Sequence, residues 1–401
     1  MYEIGEAEIA AVARVIRERK LWRYSDAAGA PTETTRAEQE WAARIGVRHG
    51  LAVSTGTAAL ISGLVGLGIE PGAEVMVPGY TFVSTALAPL AVGAVPVLAE
   101  VDASLTLDPA DVAKKLSPRT RAIIPVHMLG HLADLEPILA LARPKGVKVL
   151  EDACQCDGGS YRGLRAGRHG EAGAFSFNCF KVLTAGEGGM LVTDDELVHH
   201  RARIYHDTGC AWWPGGGEAK VPYFAGVNYR MDEIRAAILR VQLERLEGIL
   251  EGLRRRWRRL RELLDGAPGI EFAPVNDADG QCGATLLLRV EDRARAQAFA
   301  AAARERKLPV ALPYDSGRHV YSNWEVLMQR RGAFHPALDP LLIFEAGRAQ
   351  RYAPDMLPRT LEHLARTVQV NIALRWTEEE LSSAASGLRE CARPRNDTVK
   401  N

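Results

Sequence analysis

Phe175-Ser-Phe-Asn-Cys-Phe-Lys-Val-Leu-Thr-Ala-Gly-Glu-Gly-Gly189 reads as the end of an apolar strand, a lysine at position 181, and a glycine-rich loop turning back into a second strand at 190–193. A lysine amine just past a strand end, walled by Phe175, Phe177 and Phe180, is expected to be partly desolvated. Desolvation disfavours the ammonium, so the amine becomes a nucleophile able to form a Schiff base with an aldehyde. Alone, such a lysine is more often a solvated surface residue. Its meaning depends on what accompanies it.

Asp152 and Gln155 lie in Val149-Leu-Glu-Asp-Ala-Cys-Gln155, where an apolar strand (147–150) runs out into acidic and polar side chains. Carboxylates at the carboxyl end of a buried parallel strand sit where open α/β sheets bind ligands. An enzyme using pyridoxal phosphate (PLP) needs one carboxylate to keep the pyridine nitrogen protonated. For Asp152 alone, capping the following turn is an equal alternative. In Val53-Ser-Thr-Gly-Thr-Ala-Ala-Leu60, Ser, Thr and Gly separate a short strand (51–53) from a helix (58–67). Hydroxyls and backbone N–H groups at a helix N-terminus suit a phosphate, or simply cap the helix. The three stretches together point to PLP.

These residues resemble the DegT/DnrJ/EryC1/StrS group of PLP-dependent sugar aminotransferases of fold type I, continuously over about 5–376. The resemblance implies that Gly56 and Thr57, in Ser54-Thr-Gly-Thr-Ala-Ala-Leu60, cup the phosphate with Ser176. It implies that Phe82, in Pro78-Gly-Tyr-Thr-Phe82, stacks on the pyridine ring. Asp152 would meet the ring nitrogen, Gln155 the ring hydroxyl, and Lys181 would carry the Schiff base. Gly226-Val-Asn-Tyr-Arg-Met231 matches a segment whose asparagine, here Asn228, reaches the phosphate of the neighbouring subunit, so a homodimer with shared active sites is expected. Lys181 separates the chain from the family's dehydratase branch, which carries histidine there. The pattern His319-x-Tyr321-x-Asn323-Trp324 resembles the branch that aminates C8 of the sugar Kdo, and places these four residues as substrate contacts. A satisfied domain-core histidine is an equal reading of His319. The stretch 329–352 is longer than that branch suggests.

Composition excludes more than it specifies. The 401 residues are 47% hydrophobic and 25% charged, with 50 basic against 50 acidic side chains. Balanced charge gives no global field for nucleic acid or anionic lipid. The longest apolar region, 86–99, is interrupted by Pro89 and Pro96 and is too short to span a bilayer. No signal peptide is read at the start. The six cysteines show neither disulfide-scaffold density nor metal-ligand spacing, so reduced thiols, no metal and a cytoplasmic location are expected. The arginines of 254–261, interleaved with Trp257 and Leu260, read as a solvated helix face rather than a nucleic-acid surface.

Helices and strands alternate: helix 58–67, strand 74–77, helix 82–92, strand 95–98, helix 109–116, strand 122–126, helix 132–143, strand 147–150. This pattern predicts a largely parallel sheet covered on both faces, an α/β fold. A helix over 231–264 leads to a smaller C-terminal α+β domain containing strand 284–290, helix 293–306 and a closing helix over 377–390. The predicted division is an N-terminal segment (1–29), a large PLP-binding domain (30–253), a small domain (254–391) and a frayed tail (392–401).

The expected activity is transfer of an amino group from L-glutamate or L-glutamine to a carbonyl sugar, either the C8 aldehyde of Kdo or a nucleotide-linked ketosugar. Lys181 and Asp152 are the expected catalytic residues. The alternative is a PLP enzyme of another reaction type, a dehydratase or a cyclase of natural-product assembly.

Overall fold

The computed structural model describes residues 4–24, 31–210 and 219–393. Helices α1 (Glu6–Glu18) and α2 (Glu33–Ile45) precede the first strand. Seven strands then build one sheet: β1 (His49–Val53), β2 (Glu74–Pro78), β3 (Val95–Ala99), β4 (Thr120–Ile123), β5 (Lys148–Asp152) and, after the hairpin β6 (Ser160–Tyr161) and β7 (Leu164–Arg165), β8 (Ala172–Ser176) and β9 (Gly189–Thr193). Their spatial order is β1-β9-β8-β5-β4-β2-β3. β9 runs antiparallel to both its neighbours, and the other pairings are parallel. Every residue of β2, β3, β8 and β9 is buried, as in strands covered on both faces.

Helices α3 (Gly56–Gly66), α4 (Ser84–Ala91), α5 (Pro109–Lys115), α6 (Leu135–Ala142) and α7 (Glu196–His206) complete the alternating part. The predicted strand 122–126 ends early, at Ile123. Pro125 has no N–H to donate, and Val126 contributes only an isolated bridge to Asp152. Helix α4 begins at Ser84 rather than 82, which leaves Phe82 in the turn before it.

Helix α8 (Glu233–Leu264) runs unbroken for 32 residues, capped by the Asp232 side chain on Arg235 N. Leu239, Leu243, Leu246, Leu250, Leu253, Trp257, Leu260 and Leu264 form its buried stripe. Its arginines pair outward: Arg254 donates to Gln281 O and Gly280 O, and Arg258 meets Asp279. A second sheet follows, antiparallel throughout, from β10 (Glu271–Phe272), β11 (Thr285–Arg289), β12 (Val310–Ala311) and β13 (Thr367–Asn371) in the order β10-β11-β13-β12. Helix α9 (Arg293–Glu305) packs on it, and the closing helix Glu378–Ala392 packs against α8 and α9. Ala392 still belongs to that helix; the rest of the predicted frayed tail, from 394, lies outside the described residues.

Register aligns the strand ends that matter. Val53 pairs with Gly189, Gly189 with Ser176, and Asp152 with Ala174, so β1, β8 and β5 finish side by side where β9 begins. At the end of β5 the pleat sends Glu151 and Asp152 to opposite faces. Glu151 is fully buried and accepts from Gly167 N, His169 N and Gly170 N, with His127 Nε2 at 3.0 Å. His127 Nδ1 accepts from Ala133 N, so Nε2 carries the proton donated to Glu151. Burial alone pushes the Glu151 carboxyl up, but the His127 ring and these N–H groups outweigh it and hold it below its ordinary value of 4.5.

Because the folded value is depressed, this stabilisation is complete above the unfolded value and is lost as pH falls through the folded one. Glu151→Gln is expected to cost about 3 kcal/mol at neutral pH. It should also shrink the loss of stability on acidification below about pH 4.5, a window set by the carboxylate's linkage. Urea unfolding of both proteins at neutral and acid pH measures this; identical pH dependence would contradict it.

Candidate active site

The aligned strand ends enclose a cavity of about 470 Å³. Gly56, Thr57, Phe82, Asp152, Gln155, Ser176, Lys181 and His319 all line it. Its floor is the amino end of α3. Thr55 caps that helix by accepting from Ala58 N, and Thr57 Oγ1 donates to Ser84 Oγ at 2.9 Å, tying the start of α3 to the start of α4. The first-turn N–H groups and the helix dipole make this end an anion site. Ser176 faces it from β8. A Cβ on Gly56 would lie 2.7 Å from Ser176 Cβ and 2.9 Å from Cys154 Sγ, so the cup is closed to any side chain.

Asp152 lines the same cavity from β5, the strand beside β8. Its Oδ2 accepts from Thr85 Oγ1 at 2.7 Å and its Oδ1 from Cys154 N at 3.1 Å. Gln155 Oε1 accepts from Leu129 N, which fixes the amide and leaves its NH₂ as the group able to donate. Phe82 is 44% exposed and offers a ring face. An anion cup, a buried carboxylate, a ring face and an amine around one cavity fit PLP.

Lys181 is half-buried, and its loop is pinned by backbone bonds from Phe177 N to Gly188 O, Cys179 N to Gly186 O and Ala185 N to Phe177 O. Asn178 staples the loop further: Oδ1 accepts from Phe180 N and Nδ2 donates to Glu187 Oε1 at 2.7 Å. The expected apolar wall is corrected here. Phe175 and Phe177 are fully buried on the far face, edge-on to Trp41 at 5.0 and 5.3 Å, because alternation that turns Ser176 to the cavity turns its neighbours away. Phe180 does line the cavity but is 80% exposed.

The four substrate candidates separate. His319 reaches the cavity, its ring 5.4 Å from that of Phe82. Its Nδ1 lies 3.2 Å from Ser316 O and donates to it, leaving Nε2 an acceptor, and burial lowers its pKa. Tyr321 and Trp324 are core residues, a correction to their placement as substrate contacts. Tyr321 donates to Pro354 O and accepts from Leu357 N, and Trp324 Nε1 donates to Arg318 O. Asn323 is exposed, and its Nδ2 donates to Gly317 O. These three shape the segment that carries His319, which is zipped to the phenylalanine turn through Thr81 N to His319 O and Val83 N to Arg318 O. Asn228 is exposed and is not among the cavity residues of its own chain. It bridges Asp207, beside Tyr229, whose carbonyl accepts from Ser54 N.

Thr85, Asn178 and Glu187 were not foreseen. For Thr85 the signal was its place four residues after Thr81 at a helix entry, where two hydroxyls share a face. All six cysteines are free, and burial pushes the Cys154 thiol, in the cavity wall, far up into its inert neutral form.

A family model for the DegT/DnrJ/EryC1/StrS aminotransferases matches residues 3–336. The chain belongs to this family. It is therefore a PLP-dependent aminotransferase of fold type I, a large mostly parallel sheet followed by a smaller C-terminal α+β part. A 3-amino-5-hydroxybenzoate synthase from Amycolatopsis mediterranei is 36% identical over 271 residues, 67% of this chain and 68% of the relative. A GDP-perosamine synthase from Caulobacter vibrioides is 39% identical over 216 residues, 52% of this chain and 56% of the relative. The crystal structure of a 3-amino-5-hydroxybenzoic acid synthase superposes with a TM-score of 0.79 at 30% identity, over 97% of both chains.

Overfilling the cup tests its fit. Gly56→Ala is expected to fold and to bind PLP at least about tenfold more weakly, the cost of a forced methyl in a closed site. A fluorescence titration with PLP measures it; unchanged affinity would contradict the cup.

Proposed function

We propose that this aminotransferase moves an amino group from L-glutamate or L-glutamine to a carbonyl sugar, with a nucleotide-linked ketosugar as the first candidate acceptor. The observation that carries the reading is the convergence of Lys181, Asp152, Ser176 and the α3 amino end on one cavity. PLP, when bound, supplies the electron sink that lets an amino group leave one carbon and be delivered to another.

The chain's own residues do the rest. Gly56, Thr57 and Ser176 would hold the phosphate, Gln155 would donate to the ring hydroxyl, and Phe82 would cover one ring face. Asp152 would keep the ring nitrogen charged from a fixed, buried position. Lys181 would anchor the cofactor and, once released by the donor, take the proton from the donor's Cα at its Nζ. Exposed Asn228 would complete the phosphate cup of a second subunit, so we infer a homodimer with shared sites. A chain organised as a large part (30–253) and a small part (254–391) joined through α8 suits this assembly.

A relative named as a GDP-perosamine synthase supports the nucleotide-linked acceptor. The C8 aldehyde of Kdo is the second reading, favoured by His319, whose free Nε2 can accept from a sugar hydroxyl. Among the described residues no helix is long and apolar enough to cross a membrane. We infer a cytoplasmic enzyme working on small molecules rather than nucleic acid.

Incubation with either donor and each acceptor, read by mass spectrometry, is expected to yield an amino sugar with one of them. Lys181→Ala should abolish it. After borohydride reduction, wild-type protein should carry the cofactor's mass on the peptide containing Lys181 and the variant should not. Covalent cofactor retained by Lys181→Ala would sink the assignment.

A further inference from the structure

We propose that Thr85, backed by Thr81, is a positioning residue for Asp152 and that this hydroxyl pair keeps the cofactor's ring nitrogen protonated. The inference rests on Asp152 being the partner of that nitrogen. Thr85 Oγ1 lies 2.7 Å from Asp152 Oδ2, and a carboxylate only accepts, so the single hydroxyl proton of Thr85 is committed to it. Thr81 Oγ1 lies 2.7 Å from Thr85 Oγ1. With the Thr85 proton spent, Thr81 must be the donor of that second bond. The chain therefore runs one way, from Thr81 through Thr85 to Asp152.

All three side chains line the cavity and yet are buried, Thr81 and Thr85 to 1% exposure and Asp152 to 4%. Hydrogen bonds to a charged acceptor are strong in such a setting, and each hydroxyl polarises the next. Cys154 N occupies Oδ1. Thr85 thus fixes the carboxylate plane and leaves Oδ2 a lone pair for one more donor, the role a pyridinium N–H fills. Phe82 lies between the two threonines in sequence, so the turn that offers a face to the ring also aims the carboxylate at its edge.

The test uses PLP labelled with ¹⁵N in the ring. In the loaded wild-type protein the nitrogen should show a pyridinium shift across the neutral range. Thr85→Val, close in shape, should lose the ring proton at a lower pH and bind PLP about tenfold more weakly, the effect of removing one hydrogen bond to a charged group. Thr85→Ser should restore both. Thr81→Val should move both the same way by less, and it carries the test if Thr85→Val does not accumulate. Wild-type ¹⁵N titration in both valine variants would overturn the proposal. Asp152→Asn separates the two levels. If it too leaves the ring protonated, Asp152 is not the partner and both readings fall. If it removes the proton while the valine variants do not, the positioning role alone falls.

Discussion

Two adjacent carboxylates at the end of one buried strand, Glu151 and Asp152, set the terms for the rest of this molecule. A strand's pleat sends neighbours to opposite faces, so neither charge can avoid burial and each needs its own donors. Glu151 is satisfied by structure: three backbone N–H groups of 167–170 and the His127 ring close around it. Asp152 is satisfied by Thr85 and Cys154 N, with room left for a ligand. One carboxylate holds the fold together and the other is held in place by it.

The same alternation governs β8. Phe175 and Phe177 join Trp41 in the apolar layer on one face, and Ser176 turns to the cavity on the other. Parallel register then places the loops after β1, β5 and β8 side by side. The α3 amino end, the Asp152 carboxylate and Lys181 converge although residues 56, 152 and 181 lie in separate stretches of the chain. The antiparallel β9 makes this economical, because it returns the lysine loop directly into the sheet beside β1.

Much of this was legible in the sequence because buried parallel strands are near-continuous apolar runs, as in β2 and β3. Gly56, Thr57, Phe82, Asp152, Gln155, Ser176 and Lys181 could be picked out as cavity residues because each lies within a few residues of a strand end. Helix α2 was not: Ala37, Trp41 and Ile45 are its apolar anchors in an otherwise polar stretch, and packing against α8 and β1 defines its face. β13 spans five residues with mixed side chains and owes its identity to β11 and β12 on either side. The reading of 313–324 failed in part for a physical reason. Polar and aromatic composition does not say which way a side chain points, and Tyr321 is satisfied by Pro354 and Leu357, which no local pattern reveals. The wall of phenylalanines around Lys181 was a different error, since period-two alternation from Ser176 already forbade it.

The account stands or falls on whether Lys181 and Asp152 make this cavity a site of amino transfer. Single turnover measures that most directly: PLP-loaded protein mixed with L-glutamate, and separately with L-glutamine, in the absence of any acceptor. One of the two donors should release its keto acid in an amount matching the sites, with loss of the cofactor's visible band. If neither donor releases keto acid from fully loaded protein, the cavity is not performing transamination with these donors and the central claim is wrong.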